Sequence, residues 1–279
     1  MKRGGLVRST IPDYLRLLEA PEGEARRAAW VDDYEAAHPA VFATYYESWG
    51  NPDGRAAAAD AVTSLAPVIP GREARARSLV ERAGHDLVDI AVLDRPQIPA
   101  VLLVGGHTSN GWVADIEGVS SLFLALEFLG EPPLDDVLVV HEAVHLGHLA
   151  RSAASWPQTV GEALFSEGLA VALSRRLRPG LDDTAYLWFD DTHEPWVGDC
   201  RAREDNIRRT VLDALECTDG ELIAQLFSAK PGSPLPIRCG YWLGDLVLRA
   251  LLDRGVSPVE LVNLSYLEAL AVVRHELEA

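Results

Sequence analysis

The chain is short of the features that mark several classes of protein. Lysine occurs only at Lys2 and Lys230, and no block of lysine and arginine appears anywhere. Basic residues number 25 against 42 acidic ones, for a formal charge of −17. Nothing in such a chain could neutralise a phosphate backbone locally, so nucleic acid is not an expected partner. The three cysteines, Cys200, Cys217 and Cys239, are an odd number at wide spacings with no C-x-x-C pair. That argues against a disulfide framework and a thiolate metal site, and it suits free thiols in a reducing compartment. No apolar run reaches membrane-spanning length, and MKRGGLVRSTIPDY at the N-terminus has basic residues without the apolar stretch of a signal peptide. A cytoplasmic location with no membrane partner is the expectation. Low-complexity tracts and fixed-period repeats are also missing.

What is present is an ordinary globular composition, 48% apolar and 24% charged over 279 residues, long enough to bury a core without covalent staples. From Ser9 to about Gly84 the chain reads as successive helices, with Thr10 before Ile11 and Pro12, and with Pro39, Pro52 and Pro70 as punctuation. Between Leu87 and Gly105 the texture changes to short apolar runs, LVDIAVL and AVLLVGG, which suit a small sheet. A short edge strand fits Gly111 to Ala114, and SSLFLALEFL reads as strand or helix with equal ease. Helical patterns then return at Asp136 to Ala150, Thr159 to Leu177, Arg201 to Leu215, Glu221 to Ser228 and Cys239 to Leu252. A last helix opens with the capping-box tetrapeptide Ser257 to Glu260. The expected class is α+β, mostly helical, and no Pro/Ser linker divides the chain.

The chemistry concentrates in HEAVHLGH, His141 to His148. On a helix, residues four apart share a face, so His141 and His145 aim two imidazoles at one point, with the Glu142 carboxylate one step round the axis. This is H-E-x-x-H. Zinc held by two imidazoles and a third ligand keeps a position open for water, lowers that water's pKa to about 7, and the glutamate can take the proton. The alternative is a buried helix with incidental histidines, but burying two histidines and a glutamate is costly unless they are paired or metal-bound.

The third ligand decides the subclass. Arg151 stands ten residues after His141, where a metzincin has a histidine, so that subclass is excluded. His148, three residues beyond His145, falls near the same face but out of reach of the same ion, and reads as a solvated or hydrogen-bonded bystander. In GEALFSEGLAVALSRRL, Glu162 and Glu167 lie five residues apart, about 140° round a helix, so only one can face the site. Gly168, Ala170 and Ala172 would let this helix approach a neighbour closely, which favours Glu167.

His141, Glu142 and His145, followed by S-E-G-L-A at Ser166 to Ala170, resemble the gluzincin zinc peptidases. The pattern is most similar to an uncharacterised bacterial group of predicted zinc-dependent proteases that also carry a G-Y-x-x-G helix, matched here by Gly240, Tyr241 and Gly244. The resemblance covers about half the chain, from Val101 to Leu252. It implies a zincin-like domain over 87–279, with a small mixed sheet beside the H-E-x-x-H helix and a helical C-terminal region; 1–86 reads as a helical N-terminal region, with one continuous domain as the alternative. It further implies that His141, His145 and Glu167 hold one zinc ion, that Glu142 is the general base, and that Tyr241 stabilises the oxyanion. Asn110 and Trp112 look like the edge-strand residues that hold substrate in thermolysin-like enzymes, although a polar turn with a packed tryptophan explains them equally. One departure stands out. Thermolysin-like enzymes carry an acid four residues after the ligand glutamate, and here that residue is Val171.

The expected function is zinc-dependent hydrolysis of a peptide or protein substrate. A catalytically silent zincin fold serving as a binding or regulatory module is the alternative.

Overall fold

Three residues near the N-terminus, β1 (Val7–Ser9), pair in parallel with β2 (Ala100–Leu103), and this long-range pairing ties the start of the chain to its middle. The computed structural model describes residues 6–152, 156–190, 192–229 and 234–279, so Lys2 and Lys230 lie outside it. β4 (Val119–Ala125) pairs in parallel with β2 and antiparallel with β3 (Gly111–Ile116), giving a four-stranded mixed sheet in the order β1-β2-β4-β3. β3 and β4 are joined by two residues, Glu117 and Gly118, both with positive φ of 55° and 78°. Two left-handed residues make a turn whose twist matches that of the flanking strands. With this turn the first six residues of SSLFLALEFL, to Ala125, are strand and the remaining four are turn, and the expected Gly111–Ala114 edge strand extends to Ile116.

The class is α+β and mostly helical, as expected, but the sheet is smaller than its apolar texture suggested. Leu87 to Asp89 close the long helix Ile69–Asp89 instead of opening a strand. LVDIAVL therefore contains no strand: Leu87 and Val88 belong to the end of that helix, and Ile90 to Leu93 form the turn that follows it, a distinction a run this short does not reveal.

Two compact units emerge, one comprising Met1–His85 and Arg95–Pro132, the other Asp86–Asp94 and Pro133–Ala279. This differs from a boundary at 86/87, because β1 pairs with β2 and so groups the sheet with the N-terminal helices. The first unit is centred on edge-to-face contacts among Tyr14, Trp30, Tyr34 and Phe42. Thr10 precedes the helix Ile11–Arg16 without capping it; its hydroxyl meets that of Tyr34 at 2.8 Å, and Tyr34 donates to the Val104 carbonyl just beyond β2.

The second unit is helical. The histidine helix (Leu134–Arg151) is buried along almost its whole length, and the glutamate helix (Val160–Leu177) packs against it, with Thr159 capping the latter's N-terminus. Arg178, at the end of the glutamate helix, pairs with Asp136 in the first turn of the histidine helix at 2.7 Å. The tyrosine helix (Cys239–Asp253) crosses the glutamate helix where two glycines meet. A Cβ on Gly168 would lie 2.5 Å from the Gly244 backbone, and one on Gly244 would lie 2.6 Å from the Leu164 carbonyl. Neither position has room for a side chain. Two turns further along the glutamate helix, Arg175 holds the buried Asp245 through Nε at 3.0 and 3.1 Å, clamping the two helices.

Toward the C-terminus, the stretch expected as one helix from Arg201 is divided at Arg203 into Glu194–Ala202 and Glu204–Asp213. The expected last helix is also two, Pro258–Val262 and Tyr266–Glu278, each opened by its own capping box. Among the described residues, no helix is long and apolar enough to cross a membrane.

Candidate metal centre

The four-residue spacing does what helical geometry requires. His141 and His145 project from one face of the histidine helix, with ring centroids 4.8 Å apart and their Nε2 atoms 3.2 Å apart. Glu167 reaches the same point from the glutamate helix, its Oε2 lying 3.2 Å from His141 Nε2 and 3.3 Å from His145 Nε2. The three form a group that could hold a metal ion. Their donor atoms make a nearly equilateral triangle, and linear hydrogen bonds cannot satisfy all three edges at once. A cation that all three donors face can.

The glycine contact explains how Glu167 gets there. Gly168 lies against Gly244, so the residue beside it is carried into the narrow space where the glutamate and tyrosine helices meet. Tyr241 lies three residues before Gly244, and its ring stacks 6.2 Å from that of His141 at 30°. Gly240, next to it, is filled from the other side by the Phe227 ring, which a Cβ would strike at 2.4 Å. The E-G and G-Y-x-x-G segments are thus two halves of one helix crossing. Glu162 has its carboxyl raised to about 7 by burial and by the neighbouring charge of Glu167, and it is not part of the triangle.

Electrostatics follow the same arrangement. Burial, the largest single influence, would lower the His145 imidazole, but Glu167, with Glu142 and Glu162, together outweigh it and raise His145 to about 9. Glu167, which burial would raise, is held well below the usual carboxylate range by His145 and His141. Glu142 is only 8% exposed, and its carboxyl is raised by burial, with Glu167 adding to the effect and the two histidines opposing it. Burial and the charge of Glu167 also raise the Tyr241 hydroxyl, against the pull of Arg238.

The acid missing at Val171 has a partial substitute. Ser166, one residue before Glu167, brings its Oγ to 3.2 Å from His145 Nδ1 and so orients that ring. His141 Nδ1 is buried without a partner among the described residues, and its ring is fixed instead by the edge of Phe189 at 5.4 Å and the face of Tyr241. Phe189 itself has φ of 57°, a strained backbone for a residue with a side chain. Ser166 was visible in S-E-G-L-A, though nothing in the spacing pointed to its role. Phe189 lies in a loop without periodicity and gave no signal.

His148 is a bystander of a different kind from the one expected. It is buried rather than solvated, its ring meeting Trp156 edge-on at 4.7 Å and Phe165 at 5.6 Å, with Nε2 unpartnered among the described residues. Burial, with the charge of His145, lowers it to about 4. Asn110 and Trp112 belong to the first unit. Asn110 accepts from the Gly111 amide with its side chain and from the Ala125 amide with its carbonyl. Trp112 is 4% exposed and stacks on Phe123 at 5.1 Å. Each is engaged within its own unit.

Compared with known family models, characterised proteins and solved structures, the chain matches none. The centre therefore rests on its own geometry.

Proposed function

We propose that this chain is a zinc-dependent peptidase of gluzincin type, with zinc held by His141, His145 and Glu167. The triangle of donor atoms carries the reading. Tetrahedral zinc with bonds of about 2.0–2.1 Å to imidazole nitrogen and carboxylate oxygen spaces its ligand atoms by about 3.3 Å. The separations here are 3.2, 3.2 and 3.3 Å. Three protein ligands are also what catalytic zinc takes, whereas structural sites use four. When bound, zinc supplies Lewis acidity, polarising the scissile carbonyl and bringing a water to a pKa of about 7.

The remaining work falls to the chain's own side chains. Glu142 sits between the two ligand histidines in sequence, and its raised carboxyl suits a group that takes a proton from water and passes it to the leaving amine. The Tyr241 hydroxyl stays protonated at neutral pH and can donate to the oxygen on which charge develops. Ser166 keeps His145 in one orientation, and Phe189 shields His141 from water.

The test is metal analysis combined with digestion of an unbiased peptide library. One zinc per chain is expected, together with a Glu142→Gln protein that keeps its zinc and loses cleavage by a factor of about 10² to 10⁴. A native protein that binds no zinc, or a cleavage activity that survives Glu142→Gln, overturns the proposal. Stoichiometric zinc with no cleavage by the wild type would leave a silent, binding-only fold.

A further inference from the structure

Arginines of the second unit are generally occupied. Arg175 pairs with Asp245 and Asp183, Arg178 with Asp86 and Asp136, and Arg201 with Asp183. Arg238 is different. Its guanidinium lies between two aromatic faces, 4.2 Å from the centroid of Tyr241 and 4.7 Å from that of Trp188. One Nη2 hydrogen bond goes to the Leu187 carbonyl at 2.9 Å. The buried Nε has no acceptor, and among the described residues no carboxylate comes within ion-pair distance. In a chain of formal charge −17 this cation has been left without a counter-ion. Its backbone is in the left-handed region, with φ of 57°, at the residue that opens the tyrosine helix. Strained conformations of this kind persist where the surrounding structure enforces them, and they cluster at sites of function.

We propose that Arg238 recognises a carboxylate of the substrate beside the bond that is cut at the His141–His145–Glu167 centre. Position is the first argument. The Tyr241 ring has Arg238 against it at 4.2 Å and His141 at 6.2 Å, so a carboxylate on the guanidinium lies about one aromatic ring away from the metal ligands. Neighbouring residues of an extended peptide are separated by about 3.3–3.8 Å, which suits an anionic group one or two residues from the scissile carbonyl. Chemistry is the second. A guanidinium offers a planar fork that matches a carboxylate bidentately, and aromatic faces hold that fork flat while excluding water that would weaken the pair. The third is charge. The acidic surface repels anions at long range, so an unpaired local cation selects among the substrates that do enter.

The carboxylate could be the free C-terminus of a short peptide or an Asp or Glu side chain in a longer one. The inference rests on the peptidase reading for the reaction, but its test reads binding. Zinc-loaded Glu142→Gln protein is titrated calorimetrically with two matched pairs: a tripeptide and its C-terminal amide, and an end-capped peptide containing Glu and its Gln counterpart. In at least one pair the carboxylate should bind about tenfold or more tightly than its neutral partner. Arg238→Gln, added to the same protein, should bring that ratio to about one, and Arg238→Lys should keep part of it. Equal affinities within both pairs overturn the inference, as does a preference that survives Arg238→Gln. Cleavage by the wild-type enzyme separates the two readings. A preference that depends on Arg238 without any cleavage sinks the peptidase and keeps the carboxylate site, whereas cleavage with no preference sinks the site alone.

Discussion

Two glutamates, one in each unit, sit in opposite surroundings. Glu35, in the first unit, is 7% exposed and collects donors: Trp30 Nε1 at 2.8 Å, the Tyr46 hydroxyl, and Arg55 through Nε at 2.9 Å and Nη2 at 2.7 Å. Glu167, in the second, faces two imidazole nitrogens that also face each other. The first carboxylate is already neutralised and hydrogen-bonded, as a buried charge used for structure must be. The second shares its point of convergence with two further potential ligand atoms. Burial of a carboxylate therefore says little about its use until the partner atoms are sorted into donors that satisfy it and ligands that compete with it.

The sharpest way to break this comparison is to remove each glutamate in turn. Glu167→Ala should lower zinc affinity by more than about 100-fold, measured by competition with a chelator. It should also abolish the dependence of thermal stability on zinc. Glu35→Ala should destabilise the protein by about 3 kcal/mol in urea, by stranding Arg55 and Trp30, with zinc affinity unchanged. If Glu35→Ala loses zinc, or Glu167→Ala keeps it, the distinction fails.

A smaller effect concerns what positions Glu167. Gly168→Ala forces a methyl group to 2.5 Å from the Gly244 backbone, and a loss of about 2–3 kcal/mol in urea denaturation is expected, together with weaker zinc binding. Gly198→Ala is the control within the same unit. Its Cβ would meet nothing within 4 Å, and in mid-helix the change should stabilise by about 0.5–1 kcal/mol. Equal outcomes for the two would mean the crossing is not tight.

The buried histidine gives a prediction in pH. His148 is lowered to about 4 when folded, from about 6.5 when unfolded, so between these values the unfolded state binds the extra proton. Its contribution is fully present above about pH 6.5 and is lost as the pH falls toward 4, by up to about 3 kcal/mol. The difference in unfolding free energy between wild type and His148→Phe should therefore shift in favour of the variant across that window. A constant difference would show that His148 titrates normally. A smaller effect on zinc than that of Glu167→Ala is expected from Ser166→Ala, which frees His145 Nδ1 and should weaken zinc binding by about tenfold without a comparable change in stability.

How much of this could be read from the sequence varied with the range of the interaction. His141, Glu142 and His145 were legible because their geometry is set within one turn of one helix. Glu167 was separable from Glu162 because Gly168 announced a close approach. The partner of that approach, Gly244, was visible only as part of a pattern, since which two helices cross is decided by packing over some 75 residues of chain. β1 was missed for the same reason. Three residues carry no periodicity, and their strand character comes from the hydrogen bonds of β2, more than 90 residues away. LVDIAVL failed in the opposite direction, since a short apolar run fits a strand or the buried end of a helix equally well. Arg238 and Phe189 lie outside regular elements, and only the folded chain reveals that the first has no counter-ion among the described residues and the second packs against His141.

The contact between Gly168 and Gly244 has a consequence for how such a centre could be found in other chains. Helices with side chains at their crossing keep their axes about 8–10 Å apart, and a glycine pair brings them nearer. The positions of the Glu167 carboxylate and of Tyr241 are thus set by a dimension that neither His141 nor His145 determines. A search keyed on H-E-x-x-H alone discards that dimension. A pattern that adds E-G some 22 residues on, and later G-Y-x-x-G, encodes the closeness of the helix crossing along with the identity of the three side chains that converge beside it.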